Sequence, residues 1–322
     1  CNTDVNGSTW EEVTAPAVKI TSTEFMAFSF NFAIPGTEGP SKAVTQEDEV
    51  PTKYLKSEAL EIAKEISIPE NYEPSDYDLL EITLNNGEKL QYIDSHIVEE
   101  KLKNGDNDSK TEEKSSLEEA LSSGSDLRTN VYEGGLKIWE CCIDLVHYLA
   151  DENVKFEALS ILEIGCGAGI PGVYAYQKGA TVHFTDYNWE VLKYITIPNV
   201  LFNTEADSGD ENKRCRFFSG DWGSLTDLLC NDSKFVKYNM IFTSETIYNQ
   251  QNYPKLLSLM EKVLKLEGCI FLAAKTHYFG VGGSIASFQA EVKKQGIFNF
   301  NEVKVIEEGV HRKIIKLDFK KR

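Results

Sequence analysis

Short apolar runs and longer amphipathic stretches take turns along residues 136–319, and the spacing of apolar positions changes with them. Ile161, Leu162 and Ile164 form an apolar run of the kind buried on both faces of a parallel sheet. A glycine turn follows (Gly165, Gly167, Gly169), and Pro171 stands where a helix opens. Residues 181–185 make a second strand that ends on Asp186, and residues 190–203 a second crossover helix, interrupted at Pro198. Strands three to five are predicted at 214–218, 238–243 and 268–274. The helices between and after them are 225–229, 253–266 and Ile285–Gln295. Ahead of the first strand, 136–150 repeats Ile138, Cys141 or Cys142, Leu145 and Leu149 on one side, with Trp139 and Glu140 in its first turns. Residues 302–306 and 314–319 alternate like a closing antiparallel pair. Five βα units and that pair predict an α/β fold with a seven-stranded, mostly parallel sheet.

Upstream the pattern weakens. Residues 53–66 have helical spacing, and 77–84 and 89–93 flank Asn86-Gly87, a strong hairpin signal. Residues 104–125 are nearly all polar and read as a linker, while 35–50 are rich in Gly, Pro and Glu. Residues 1–25 read as a leader or expression remnant ahead of a natural start at Met26. The expected division is therefore an accessory, partly disordered region at 26–126 and a catalytic-type domain at 127–322.

Composition narrows the classes. A formal charge of −18 argues against a general polyanion binder, since backbone binding of nucleic acid needs basic patches, but it suits a basic protein partner. The seven cysteines lack the spacing of a disulfide framework or a zinc site, so a reduced compartment and no metal are expected. No run reaches the 18 or so apolar residues of a membrane span. No membrane association, no direct DNA binding and a monomer are the corresponding expectations.

The glycines admit two cofactors. Gly167-x-Gly169-x-x-Gly172 fits the dinucleotide pattern, but its first glycine lies late for a strand ending at Ile164. Counted from the strand, the pattern is Glu163-x-Gly165-x-Gly167-x-Gly169, which suits S-adenosylmethionine, whose amino-acid moiety has no pyrophosphate to cradle. Asp186 can accept from ribose hydroxyls in either class. Gly220-Asp221-Trp222 after strand three offers an acid for the adenine amino group and an indole to stack on the ring. With the terminal antiparallel pair, these features favour a Rossmann-like class I methyltransferase over an NAD oxidoreductase.

Whole segments then resemble the protein-histidine methyltransferases of the METTL18 and Hpm1 type: VYEGGLKIWEC (131–141), LEIGCGAGIPG (162–172), FTDYN (184–188), CRFFSGDW (215–222), FTSETIYN (242–249) and AAKTHYFGVGG (273–283). Phe28 to Phe32 more weakly resembles the N-terminal tag of that family. Cys142 and the Ile170-Pro171 pair are mild departures. The resemblance implies methyl transfer from S-adenosylmethionine to the tele nitrogen of a protein histidine. It also implies large-subunit ribosomal protein uL3 or a pre-ribosomal particle as substrate, a role in ribosome assembly and translation, and a place in nucleus, nucleolus and cytoplasm. By the same resemblance Ile138, Trp139, Glu140, Cys141, Cys142, Asp186, Tyr187, Asn188, Gly220, Asp221, Trp222 and Ser244 line the cofactor pocket with the glycine loop and Glu163. Glu245 and Asn249, after strand four, are the expected groups to hold the pros N–H of the acceptor, with Tyr248, His277 and Tyr278 shaping its pocket. A lysine or other nitrogen acceptor, and a non-catalytic cofactor-binding assembly factor, are the alternatives.

Overall fold

The computed structural model describes residues 60–68, 77–103, 116–122, 127–128, 131–204 and 214–321. The expectations for the leader, Met26, the Phe28 to Phe32 tag and residues 35–50 lie outside the described residues, as do residues 205–212, an acidic run in the sequence.

In chain order the elements begin with β1 (Lys64–Ile66), β2 (Leu79–Thr83), β3 (Lys89–Ile93), α1 (Ser95–Lys103) and α2 (Ser116–Ser122). Next come α3 (Glu140–Asp151), β4 (Ser160–Ile164), α4 (Ile170–Gln177) and β5 (Thr181–Asp186). The following crossover runs through α5 (Trp189–Val191), a π-helical turn (Leu192–Thr196) and α6 (Ile197–Phe202). Then follow β6 (Cys215–Ser219), α7 (Trp222–Asn231), β7 (Tyr238–Ser244), α8 (Tyr253–Val263) and β8 (Leu264–Lys275). The described chain closes with α9 (Ile285–Gln295), β9 (Phe298–Ile306) and β10 (Arg312–Phe319).

Eight strands lie in the order β1-β6-β5-β4-β7-β8-β10-β9, with β4 to β8 mutually parallel and β10 antiparallel to both β8 and β9. This is the seven-stranded arrangement expected, with β1 added antiparallel beyond β6. Helices cover both faces because the strands are apolar on both. Ile161 and Phe242 belong to the cluster packed with α3 and α4, whereas Leu162, Ile164 and Ile241 belong to the one packed with α7, α8 and α9. Full burial of one such Leu, Ile or Phe side chain is worth about 1.5–3 kcal/mol. The chain passes from β4 to β5 on one side and returns to β7 on the other, so the sheet opens a crevice beyond the carboxyl ends of β4.

Several local expectations change. The helix predicted across 53–66 is a strand at its described end, where Lys64–Ile66 pairs with Ser219, Phe218 and Phe217. Its apolar positions also fit the alternating faces of an edge strand, and three residues are too few for periodicity to decide. Within the predicted linker, Ser116–Ser122 is helical and buries Leu117, Ala120 and Leu121. The predicted hairpin forms at Asn86-Gly87, with Gly87 at φ 84°. It packs into the same core as α3 and α4 through Ile82, Leu90 and Ile93. Asn199 of α6 and Asn203, which follows its last residue, accept from the Ile93 and Gln91 amides at 2.8 and 3.0 Å, as a neighbouring strand would. Trp139 is the residue before α3, with extended backbone, rather than part of its first turn. The interruption near Pro198 is the π-helical turn just before it, and α8 ends at Val263, where β8 begins directly.

Candidate active site

The carboxyl ends of β4, β5 and β7 and the loop after β6 converge on one cleft of about 860 Å³, counted out to the solvent at its mouth. Its floor is the glycine turn. Gly165 and Gly167 have φ of 60° and 50°, in the left-handed region that costs a residue with a Cβ roughly 1–2 kcal/mol. A Cβ on Gly165 would stand 2.7 Å from Thr246 Cγ2, and one on Gly167 would stand 2.9 Å from the Gly135 carbonyl oxygen. The turn thus comes within backbone distance of two other loops. The π-helical turn supports it from behind, with the Thr196 hydroxyl donating to the Gly167 carbonyl at 2.6 Å. Asn199 donates to the Ala168 carbonyl at 2.9 Å.

Asp186 lies at the end of β5 and is buried. It accepts from the Gly167 amide at 3.0 Å and the Asn188 amide at 3.1 Å. Burial nonetheless pushes its carboxyl up to about 6, because two amide bonds only partly replace the water lost. Its position above the glycine turn leaves lone pairs for further donors. Asp221 caps α7 through the Gly223 amide at 2.8 Å and pairs with Lys255 at 2.5 Å, while Trp222 opens that helix along the same wall.

The opposite wall comes from α3 and from the loop after β7. The Trp139 indole N–H donates to the Gly134 carbonyl at 3.0 Å, turning the ring toward the cleft. Glu245 is the first residue past β7 and carries φ 58° without being glycine, a conformation that costs energy and is kept by its surroundings. Its carboxylate is buried, and neither oxygen has a well-formed hydrogen bond within the protein. Burial raises its carboxyl, against the pull of Lys275, whose ammonium lies 3.5 Å away, and of the nearby Cys141 thiol and Tyr278 hydroxyl. The Tyr248 hydroxyl donates to Glu133 across the cleft, and burial raises it well above the usual phenol range.

Among the residues singled out from sequence, Ile138, Trp139, Cys142, Gly165, Gly167, Asp186, Tyr187, Asp221, Trp222, Ser244, Glu245 and Tyr248 border the cleft. Others stand elsewhere. Glu163 lies behind the glycine turn, where it accepts from the Gly172 amide at 2.8 Å and burial pushes it up to about 8. Gly169 starts α4, facing Thr196 and Phe184 rather than the cleft. Asn188 clamps the segment before α3, donating to the Val131 carbonyl at 2.7 Å. A Cβ on Gly220 would stand 2.6 Å from Ala63 Cα, so that glycine serves the approach of the segment before β1. Glu140 and Cys141 lie behind Trp139 and reach Lys275 and Glu245 instead of the cleft surface.

Three of the expected acceptor groups are displaced as well, Tyr278 being buried outside the cleft lining with its hydroxyl accepting from the Lys275 amide at 3.2 Å. Asn249 caps a short 3-10 turn (Gln250–Asn252) through the Gln251 amide at 3.0 Å. His277 is exposed on the loop after β8, bridged to Ser284 and outside the cleft lining. Sequence reasoning missed Thr246, Lys275 and the Glu133-Gly134-Gly135 turn. Lys275 had one usable signal: it is the single charge closing an otherwise apolar strand end.

Topology and cleft together define a class I methyltransferase fold. The cleft's glycine floor, where a Cβ would intrude, and its buried acid at the end of β5 fit an adenosyl amino acid. A family model described as lysine methyltransferase matches residues 121–281, and the chain belongs to that family.

The relatives agree with the resemblance read from the motifs. The chain is similar to histidine protein methyltransferase 1 homologs of Rattus norvegicus (41% identity over 63% of this chain and 62% of that one) and Dictyostelium discoideum (42% identity over 60% and 59%). It is also similar to histidine protein methyltransferase 1 of Saccharomyces cerevisiae (28% identity over 61% and 67%). The matched region spans about three-fifths of the length of the rat and amoeba proteins.

Proposed function

We propose that this chain is an S-adenosylmethionine-dependent protein-histidine N-methyltransferase that modifies the tele nitrogen of a histidine in large-subunit ribosomal protein uL3. The observation that carries the reading is Glu245: a strained, buried carboxylate on the cleft wall whose oxygens are not consumed by ordinary hydrogen bonds. Similarity to histidine protein methyltransferases supports the choice of acceptor.

Bound S-adenosylmethionine supplies a methyl group already activated on a sulfonium, so the protein's part is placement, tautomer and exclusion of water. Gly165 and Gly167 would border the amino-acid moiety, Asp186 would accept from the ribose hydroxyls, and Asp221 and Trp222 would hold the adenine. Glu245 would accept from the pros N–H of the incoming imidazole, which fixes the lone pair on the tele nitrogen. The same carboxylate would stabilise the positive charge that grows on the ring. Trp139 and Tyr248 would wall the acceptor from water. A role in ribosome assembly and translation, and a site of action in nucleus, nucleolus and cytoplasm, belong to the same proposal.

A lysine acceptor is the second reading, favoured by the description of the matching family. Radiolabelled methyl transfer from S-adenosylmethionine into ribosomal proteins, with the product mapped by fragmentation, separates the two. Tele-methylhistidine in uL3 is the expected product, and methyllysine overturns the choice.

A further inference from the structure

Lys275 closes β8 with its side chain only 5% exposed. Its ammonium lies 3.0 Å from Glu140, 3.5 Å from Glu245 and 5.1 Å from the centre of the Trp139 ring. Three elements distant in sequence contribute: the start of α3, the end of β7 and the end of β8. Glu245 and Trp139 form the cleft wall, and Lys275 lies behind both.

Such a cluster is a poor device for stability alone. Desolvating three charges costs about as much as their attraction returns, and an apolar replacement of the same volume often does as well. What the ammonium provides is a charge at a chosen place. Two carboxylates and one ammonium leave a single net negative charge beside the acceptor site. That balance suits an imidazole, which enters neutral and acquires one positive charge as the methyl group arrives. With Lys275 absent, the wall would carry two negative charges, a setting that attracts an ammonium and can take its proton.

Resting on the histidine reading above, we propose that Lys275 is a positioning and specificity-determining residue. It holds the Glu245 carboxylate on the cleft wall and offsets its charge, so that a neutral imidazole is accepted and a lysine ammonium is refused.

The test compares methyl transfer by the full chain to uL3 and to uL3 carrying lysine at the mapped acceptor position. The variants are Lys275→Met, Lys275→Arg and Glu140→Gln, each checked for cofactor affinity and melting temperature. In Lys275→Met the ratio of histidine to lysine transfer should fall roughly tenfold or more, as expected for removing a unit charge several ångströms from an ammonium at a partly buried site. Lys275→Arg should restore most of the ratio.

An unchanged ratio in a folded Lys275→Met protein overturns the proposal. If Lys275→Met does not fold, Glu140→Gln decides. That substitution removes one of the two carboxylates facing the ammonium and keeps Glu245, so the ratio should hold or rise, and a fall overturns the proposal. Failure of the histidine reading would be visible first and separately, as lysine transfer by the unsubstituted protein.

Discussion

The two walls of the cleft are built by different means. On the β4–β5 side the surface is backbone: two glycines with positive φ, and amides already turned toward Asp186. On the β7–β8 side it is side chains: Glu245, Trp139 and, behind them, Lys275 and Glu140. The glycine turn and the acid of the first wall come from one short stretch of chain, residues 165–187. The second joins residues more than a hundred positions apart. A backbone wall suits a ligand that never changes, whereas a side-chain wall can be altered residue by residue to suit a different acceptor.

That contrast can be broken on either side. The largest effect is expected at the side-chain wall. Glu245→Gln should lower methyl transfer on the order of 10²-fold, the scale of a lost group aimed at developing charge, while the cofactor dissociation constant stays within about threefold. Single-turnover rates and isothermal titration check the pair, and an equal loss of binding would merge the two walls into one.

Next in size is Gly167→Ala. The added Cβ meets the Gly135 carbonyl at 2.9 Å in a left-handed conformation, and backbone on both sides has little room to yield. Cofactor affinity should drop roughly tenfold or more. An affinity matching the parent protein would show that the close approach of the two loops is unrelated to binding.

A smaller effect follows from Asp186. Its folded value, about 6, lies above that of an unfolded carboxyl, so its contribution to stability is fully present below pH ~4 and is lost as pH rises through about 6. Ribose hydroxyls need the ionised form as acceptor, so cofactor affinity runs the other way and strengthens as pH rises from about 5 to 7. Titration across that range should show the limb, and Asp186→Asn should remove it.

Smallest of all are His277→Ala and Asn249→Ala, which should leave turnover within about threefold. Asn249→Ala should also cost about 1 kcal/mol of stability, the usual worth of a helix-type cap. A large loss of transfer with unchanged melting in either variant would extend the acceptor wall beyond the cleft described.

The same contrast explains which expectations held. The strand, glycine turn, helix and terminal acid from Ile161 to Asp186 were legible because each link is local: apolar period, turn chemistry and helix start lie side by side. Residues named for the cofactor wall from the same run still divided. Gly165, Gly167 and Asp186 border the cleft, while Glu163 and Gly169 turn behind it, since spacing gives position along the chain and not the direction of a side chain. The acceptor wall was legible only in part. Glu245 was placed by the rule that ligands meet the carboxyl ends of parallel strands. His277, expected to shape the acceptor pocket, lies outside it, because the loop after β8 folds back upon Tyr248 and Ser284.

Alternating periods, glycine spacing and terminal acids were enough to set the class of sheet, its mostly parallel run with a closing antiparallel pair, and the glycine loop at the cleft. These depend on contacts between near neighbours and on which faces must be buried. Only the folded chain brought Lys275 between Glu140 and Glu245, laid β1 against β6 and set Asn199 under the glycine turn. No local pattern encodes those meetings, because each is a contact between side chains or strand edges that the packing of separate elements makes neighbours.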